Sequence, residues 1–180
     1  MQSRTHILRN LYLTRTLVQI IWAILVIKGG FGAGVTSALL VLYPLWDVAC
    51  TLFDLRSASE GRAILQTNAV MGVLTAIAIG ATNGSRPAYA IAAFGMWALV
   101  AGLLQLAVGI ARRKQLGGQW AMILSGAQST AAGVAFTLGG LSGKLHAKDL
   151  GGYAVFGAVY FLITALLLQR KLHQQPAESL

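Results

Sequence analysis

Charged residues are scarce in this sequence, and acidic residues are scarcer still. Of the 180 residues, 11% are charged and only five are Asp or Glu. Soluble globular domains carry about 25% charged residues, so the composition excludes an ordinary soluble domain. The hydrophobic fraction of 56% and the mean hydropathy of +0.67 agree with this. We therefore interpret the chain as an integral membrane protein.

Cysteine and histidine are also rare. The single cysteine, Cys50, excludes an intramolecular disulfide and a metal site built from several cysteines. His6 and His173 lie near the chain ends and His146 lies in a loop, so they form no metal-binding pattern. Cys50 has no nearby histidine or cation and is typical of a packed helix residue rather than a nucleophile. We predict that the protein is not an enzyme and uses no catalytic residue, metal or cofactor.

Long apolar runs fill most of the chain and leave room for about six spanning helices of 17–25 residues, with none for a separate soluble domain. Arginines precede the first run as in a signal peptide, but its length predicts a retained span. The prediction is a single all-α transmembrane domain over residues 1–180, built of three tandem hairpins at about 11–55, 63–111 and 119–169 with short tails. The predicted helices are Leu11–Ile27, Val35–Leu55, Ala63–Ala81, Ala88–Ala111, Gln119–Leu141 and Tyr153–Leu168.

Basic residues give the chain a formal charge of +9 and predict its orientation. They lie at the ends of the apolar runs, which is typical of topology determinants and contacts with anionic lipids rather than of a nucleic-acid-binding face. Short loops rich in Lys and Arg stay in the cytoplasm. Since one side holds nine such residues and the other holds four, we expect both termini in the cytoplasm. The nine are Arg4, Arg9, Arg56, Arg62, Arg112, Arg113, Lys114, Arg170 and Lys171.

An internal repeat is visible in the second helix of each predicted hairpin. In each one an aromatic residue precedes a polar residue by eight positions. Repeated hairpins keep the same orientation in the membrane, so the pattern predicts a pseudo-symmetry axis along the membrane normal. The alternative is a chance alignment of short apolar helices. The three pairs are Trp46 and Asp54, Trp97 and Gln105, and Phe161 and Gln169.

Several segments together resemble a known group of proteins. They are Trp46–Arg56, Phe94–Trp97 and Gly102–Gln105 with the Arg112-Arg113 pair that follows. Over about residues 10–170 the chain resembles the HdeD-like family of short-repeat membrane proteins, and Gln119–Ser129 is similar to a signature of its proteobacterial branch. The resemblance implies a bacterial inner-membrane protein of acid resistance. It supplies no molecular mechanism and no catalytic residues.

Polar residues inside the predicted helices concentrate toward one side of the membrane. They fall within roughly 6–15 Å of the cytoplasmic end, while the outer halves are almost entirely apolar. An aqueous pore needs polar lining along its length, so the pattern favours a polar cluster open to the cytoplasm and sealed outward. The alternative is a cluster that only joins helices through its own hydrogen bonds. Its residues are Arg15, Gln19, Asp47, Thr51, Asn68, Gln105, Ser125, Gln128 and Ser129.

Two carboxylates occupy one face of the second helix. Asp47 and Asp54 are seven residues apart and therefore roughly 10 Å apart on that face. Arg15 and Asp54 fall at similar depth in adjacent antiparallel helices, which predicts an ion pair. Asp47 is deeper, with no basic residue expected at its level. Desolvation there favours the neutral acid, so Asp47 is either a proton site or a hydrogen-bonded structural residue.

Glycines recur at intervals of seven on the fourth and fifth predicted helices. Small residues on one face let helix backbones approach closely in a membrane, so we predict packing faces at these positions. The sequence leaves open whether the partner helix belongs to the same chain or to another copy. The glycines are Gly95, Gly102 and Gly109, then Gly126, Gly133 and Gly140.

Three functions follow from these features. The first is a non-enzymatic protein of acid or envelope stress with a cytoplasm-facing polar cluster. The second is a proton-linked small-solute transporter or channel that uses Asp47. The third is an accessory subunit that docks through its glycine faces. The expected partners are membrane lipids and a second copy of the chain, with no nucleic acid.

Overall fold

The computed structural model describes residues 2–58, 61–82, 86–116 and 119–174 of the chain. Within these ranges every regular element is an α-helix, which confirms the all-α prediction. The described residues form six helices, and all six are long and apolar enough to cross a membrane. They are α1 (Gln2–Lys28), α2 (Ala33–Ser57), α3 (Arg62–Thr82), α4 (Pro87–Leu116), α5 (Trp120–Leu141) and α6 (Asp149–Gln174).

The six helices form a closed ring of neighbours. Each packs against the helices that precede and follow it, and α6 closes the ring against α1. The connections are short, so neighbouring helices run antiparallel. The most extensive packing lies at α4–α5, α1–α6 and α2–α3, which are the junctions between the predicted hairpins. The pseudo-symmetry axis stays a prediction.

Helix α1 begins well before the apolar run that predicted it. Its first turns pack against α6, where Leu8 and Tyr12 form a cluster with Phe161 and Leu168. The rings of Tyr12 and Phe161 stack with centroids 5.6 Å apart. This contact fixes the rotation of α1 and directs the next turn of the same face, which carries Arg15, toward the interior of the ring.

The interface between α4 and α5 is lined by glycines of both helices, which we call the glycine ladder: Gly95, Gly102, Gly109, Gly126, Gly133 and Gly140. A Cβ atom added at Gly102 would lie 2.5 Å from the backbone nitrogen of Thr130, and one added at Gly140 would lie 2.6 Å from that of Ala92. Gly95 and Gly133 are equally close to the opposite backbone. The predicted packing faces are thereby confirmed, with both partners in one chain. A Cβ on Gly126 would meet the Gly102 carbonyl, and one on Gly109 would meet the Ile123 side chain.

Aromatic side chains fill the half of the ring where α1 ends and α2 begins. Phe94 of α4 is fully buried at their centre, 5.2 Å from Trp97 and 5.5 Å from Tyr43 between ring centroids. The Trp22 indole packs 4.3 Å from Tyr43 and donates a hydrogen bond to the Leu39 carbonyl. These rings pack like the interior of a soluble core. We call the set the aromatic layer: Trp22, Tyr43, Phe94, Trp97, Phe136 and Tyr153.

Candidate functional site

Arg15 and Asp47 form an ion pair inside the ring of helices. The Arg15 Nη2 atom lies 2.9 Å from Asp47 Oδ1, and the two side chains are 12% and 18% exposed. The guanidinium group also stacks 4.9 Å from the centroid of the Phe161 ring. The expectation that Asp47 has no basic residue at its depth is therefore wrong, because α1 carries Arg15 to that level.

Asn68 of α3 completes the environment of Asp47. Its side-chain amide donates to Asp47 Oδ2 at 2.7 Å and to the Thr51 hydroxyl at 3.0 Å. Charged hydrogen bonds of this kind stabilise an ionised carboxylate inside a protein. Asp47 is thus held by side chains of both neighbouring helices.

Asp54 pairs with a residue that the sequence placed in a loop. Arg112 of α4 donates to both carboxylate oxygens of Asp54, at 2.7 and 3.2 Å. Arg112 is 1% exposed, so this pair is more deeply buried than the first. The predicted Arg15–Asp54 ion pair is wrong. The cause is that α4 continues to Leu116, beyond its predicted end, and its last turns carry Arg112 into the ring.

The two ion pairs border one partly open cavity. Its volume is about 70 Å³. Since a water molecule needs roughly 10–15 Å³ on this measure, the cavity holds a handful of waters and is far smaller than the pocket of a drug-sized ligand. Seven of the polar side chains around this first cavity are Tyr12, Arg15, Asp47, Thr51, Asp54, Asn68 and Arg112.

A second cavity of about 30 Å³ adjoins the first on the far side of the Arg15–Asp47 pair. The two share Arg15, Asp47 and Gln105. Gln105 donates to the Met122 carbonyl at 3.2 Å and so joins α4 to α5. Tyr153 of the aromatic layer closes this second cavity, with its hydroxyl 3.2 Å from that of Ser129.

The structure brings together most of the predicted polar cluster. Thr51, Asn68 and Gln105 line the first cavity, while Gln19, Ser125 and Ser129 line the second. The exception is Gln128, which is half-buried and is not among the residues that line either cavity.

Arg112 and Tyr12 are the cavity residues that the sequence interpretation missed. Both lie at helical spacing from a residue of the predicted polar cluster. Arg112 lies seven residues after Gln105, and Tyr12 lies one turn before Arg15, so each shares a face with a predicted cluster residue. The basic run Arg112-Arg113-Lys114 is also typical of a loop, and this stronger signal conceals the helical spacing.

The two halves of the ring interior differ in polarity. The end where α1 begins and α2, α4 and α6 finish holds both ion pairs and the first cavity. The opposite half holds the aromatic layer. Within the described ranges, no group of three His, Cys, Asp or Glu residues is placed to hold a metal ion.

No protein-family model, no curated protein and no solved structure matches the chain. The HdeD-like resemblance therefore stays a prediction. The length and composition of the six apolar helices are those of a multi-pass membrane protein.

Proposed function

We propose that the chain is a non-enzymatic inner-membrane protein of the HdeD-like type that acts in bacterial acid or envelope stress. The observation that supports this most is the division of the ring interior. Two charged pairs and a small polar cavity occupy one half, and an aromatic layer fills the other. Such an interior suits a protein that responds to one side of the membrane while sealing the other.

The charge balance of the cavity is what makes acid a suitable signal. Each buried guanidinium group is matched by one carboxylate. Protonation of Asp47 or Asp54 would leave Arg15 or Arg112 without its counter-charge, and an uncompensated buried charge is strongly destabilising. Acid that reaches this half of the bundle therefore changes the balance of forces inside the ring.

The orientation that this proposal needs has the ion-pair half toward the cytoplasm. Arg112 lies inside the ring and no longer counts as a loop residue, which leaves eight basic residues against four. The remaining asymmetry still supports an orientation with both termini in the cytoplasm. A fluorescent reporter fused to the C-terminus should be active and a periplasmic phosphatase fusion inactive. The reverse pattern would overturn the orientation.

Acid survival tests the proposed role directly. In the source bacterium, loss of the gene should lower survival after acid shock, and the wild-type chain should restore it. Asp54→Asn should restore it poorly, because the variant resembles the protonated state at every pH. Asp149→Asn is the matched control, since Asp149 lies outside the cavity at the start of α6. Equal survival with and without the gene would reject the role.

Proton-linked transport is the second candidate, and one observation favours it. The two cavities lie on either side of the Arg15–Asp47 pair, so this pair separates them as a gate would. Ion flux into proteoliposomes driven by a pH gradient would support this candidate. The accessory-subunit alternative loses its basis, because the glycine faces of α4 and α5 pack against each other.

A further inference from the structure

Two arginine side chains border the first cavity and do not use their full hydrogen-bonding capacity. Arg15 and Arg112 each bind a carboxylate through terminal nitrogens. The Nε atom of each is buried, and among the described residues it has no hydrogen-bond partner. An arginine Nε–H is a donor that is costly to leave unpaired in a protein interior. Each Nε atom is enclosed by protein, so it reaches a further acceptor only when the guanidinium group moves away from its carboxylate.

The cavity is electrically neutral as long as both carboxylates are ionised. The titratable groups around it are Tyr12 and Arg15 from α1, Asp47 and Asp54 from α2, and Arg112 from α4. The residues that α3 and α5 contribute, among them Asn68, carry no ionisable group. Two positive and two negative charges thus balance, and the loss of either negative charge leaves one buried positive charge.

We propose that this cavity binds a small monovalent inorganic anion, of which chloride is the type, when one of its carboxylates takes up a proton. The proton binds a carboxylate oxygen of Asp54, and the released Arg112 guanidinium donates to the anion in its place. The net charge of the cavity is then unchanged by the combined step. This inference rests on the proposed function, since it names the ligand of the same acid-responsive cavity.

Asp54 is the carboxylate that we assign to the proton. It lies within one turn of the end of α2, on the side where the proposed orientation places the cytoplasm. Its hydrogen bonds with described side chains come from Arg112. Once Asp54 is protonated, the anion would accept these hydrogen bonds from Arg112 in its place. Asp47 also accepts a hydrogen bond from the Asn68 amide, so it has a described side-chain partner besides Arg15.

The size of the cavity limits the ligand class. A volume of about 70 Å³ accommodates a chloride ion, which is only slightly larger than a water molecule, together with a few waters. A carboxylate metabolite or a phosphate ester exceeds this volume and would extend out through the open side of the cavity. The site therefore selects a small anion by volume and by the donors of two arginines.

Chloride binding to the purified full-length chain in detergent tests the proposal. Equilibrium binding of radioactive chloride is measured at neutral and at mildly acidic pH, with gluconate as the replacement anion. We expect wild-type affinity to rise about tenfold or more on acidification, a change of about 1.4 kcal/mol per tenfold. Asp54→Asn should bind chloride with the acid-like affinity already at neutral pH.

Two further variants separate the cavity from surface binding. Asp54→Asn/Arg112→Gln restores neutrality without either charge and should lose the chloride binding of the single variant. Arg113→Gln removes the exposed neighbouring arginine and should behave as wild type. If only surface cations bind chloride, Arg113→Gln will bind it more weakly than the wild type. Asp54→Asn/Arg112→Gln will then bind it as well as Asp54→Asn does. That result overturns the proposal.

Failure of the anion site and failure of the stress role give different results. A folded Asp54→Asn protein that binds no chloride at either pH rejects the anion site, whatever its effect on acid survival. If that variant does not fold, the wild-type comparison at two pH values decides alone, because pH-independent affinity rejects the coupling. Normal pH-linked binding in a strain whose survival does not depend on the gene rejects only the stress role.

Discussion

Asp54 and Arg112 join two helices that are not neighbours in the ring. Asp54 belongs to α2 and Arg112 to α4, with α3 between them, yet two hydrogen bonds of 2.7 and 3.2 Å connect their side chains. The pair therefore spans the interior of the ring at the end where α1 begins and α6 finishes. The same two helices also meet in the aromatic layer, where Tyr43 of α2 packs against Phe94 and Trp97 of α4.

This geometry predicts a large effect of Arg112→Gln on stability. The change leaves the Asp54 carboxylate buried without its cation, and breaking a buried pair in this way costs about 3–5 kcal/mol. The free energy of unfolding of the purified protein in detergent, measured against denaturant, should fall by that amount.

Arg113→Gln provides the matched control for Arg112→Gln. Arg113 is the next residue of the same helix but is exposed, so its substitution should change stability by no more than about 0.5 kcal/mol. The double variant Asp54→Asn/Arg112→Gln should be more stable than Arg112→Gln, because it leaves no unpaired charge. Similar losses for Arg112→Gln and Arg113→Gln would contradict the assigned pairing.

The glycine ladder predicts opposite effects of the same substitution at two sites. At Gly133 a Cβ would strike the backbone of Leu99, and a backbone cannot rotate away, so Gly133→Ala should destabilise by about 1–3 kcal/mol. At Gly152 of α6 nothing lies within 4 Å of the added atom. Alanine favours a helix over glycine by up to about 1 kcal/mol, so Gly152→Ala should be neutral or stabilising.

Thermal unfolding of both glycine variants in the same detergent checks this pair of predictions. The midpoint should fall for Gly133→Ala and stay level or rise for Gly152→Ala. Two equal shifts would mean that α4 and α5 do not approach as closely as the ladder requires.

The helices could be predicted from the sequence because their signal is local. Length and hydropathy decide whether a segment can span a membrane, and turn residues such as Gly29 and Gly30 mark where one span ends. The pairing of charges could not be predicted in the same way. Depth counted from the start of the apolar run places Arg15 level with Asp54, whereas α1 begins earlier, at Gln2, and Arg15 meets Asp47, about two turns before Asp54 on α2.

The partner of the glycine faces shows a related limit. Intervals of seven identify a flat face on α4 and another on α5, such as the one through Gly102 and the one through Gly126. They do not identify what covers each face. That depends on the order of helices around the ring, which the tertiary packing of all six helices determines.

The Arg15–Asp47 pair gives the prediction that decides what Asp47 does. Because Arg15 lies 2.9 Å from its carboxylate, Asp47→Asn should leave a guanidinium group unmatched. The cost should be about 3 kcal/mol, the lower end of the range for a buried pair, since both side chains are slightly exposed. Without a cation nearby, the same substitution would have been almost silent. Arg15→Gln/Asp47→Asn should recover part of the loss, with a coupling energy of about 0.5–3 kcal/mol in a double-mutant cycle.

The same three variants test whether Asp47 is also a proton site. If it is, Arg15→Gln, Asp47→Asn and the double variant should all lose the pH response of chloride binding or flux. If the double variant keeps a wild-type pH response and wild-type acid survival, Asp47 serves only to hold α1, α2 and α3 together, and the response resides in Asp54.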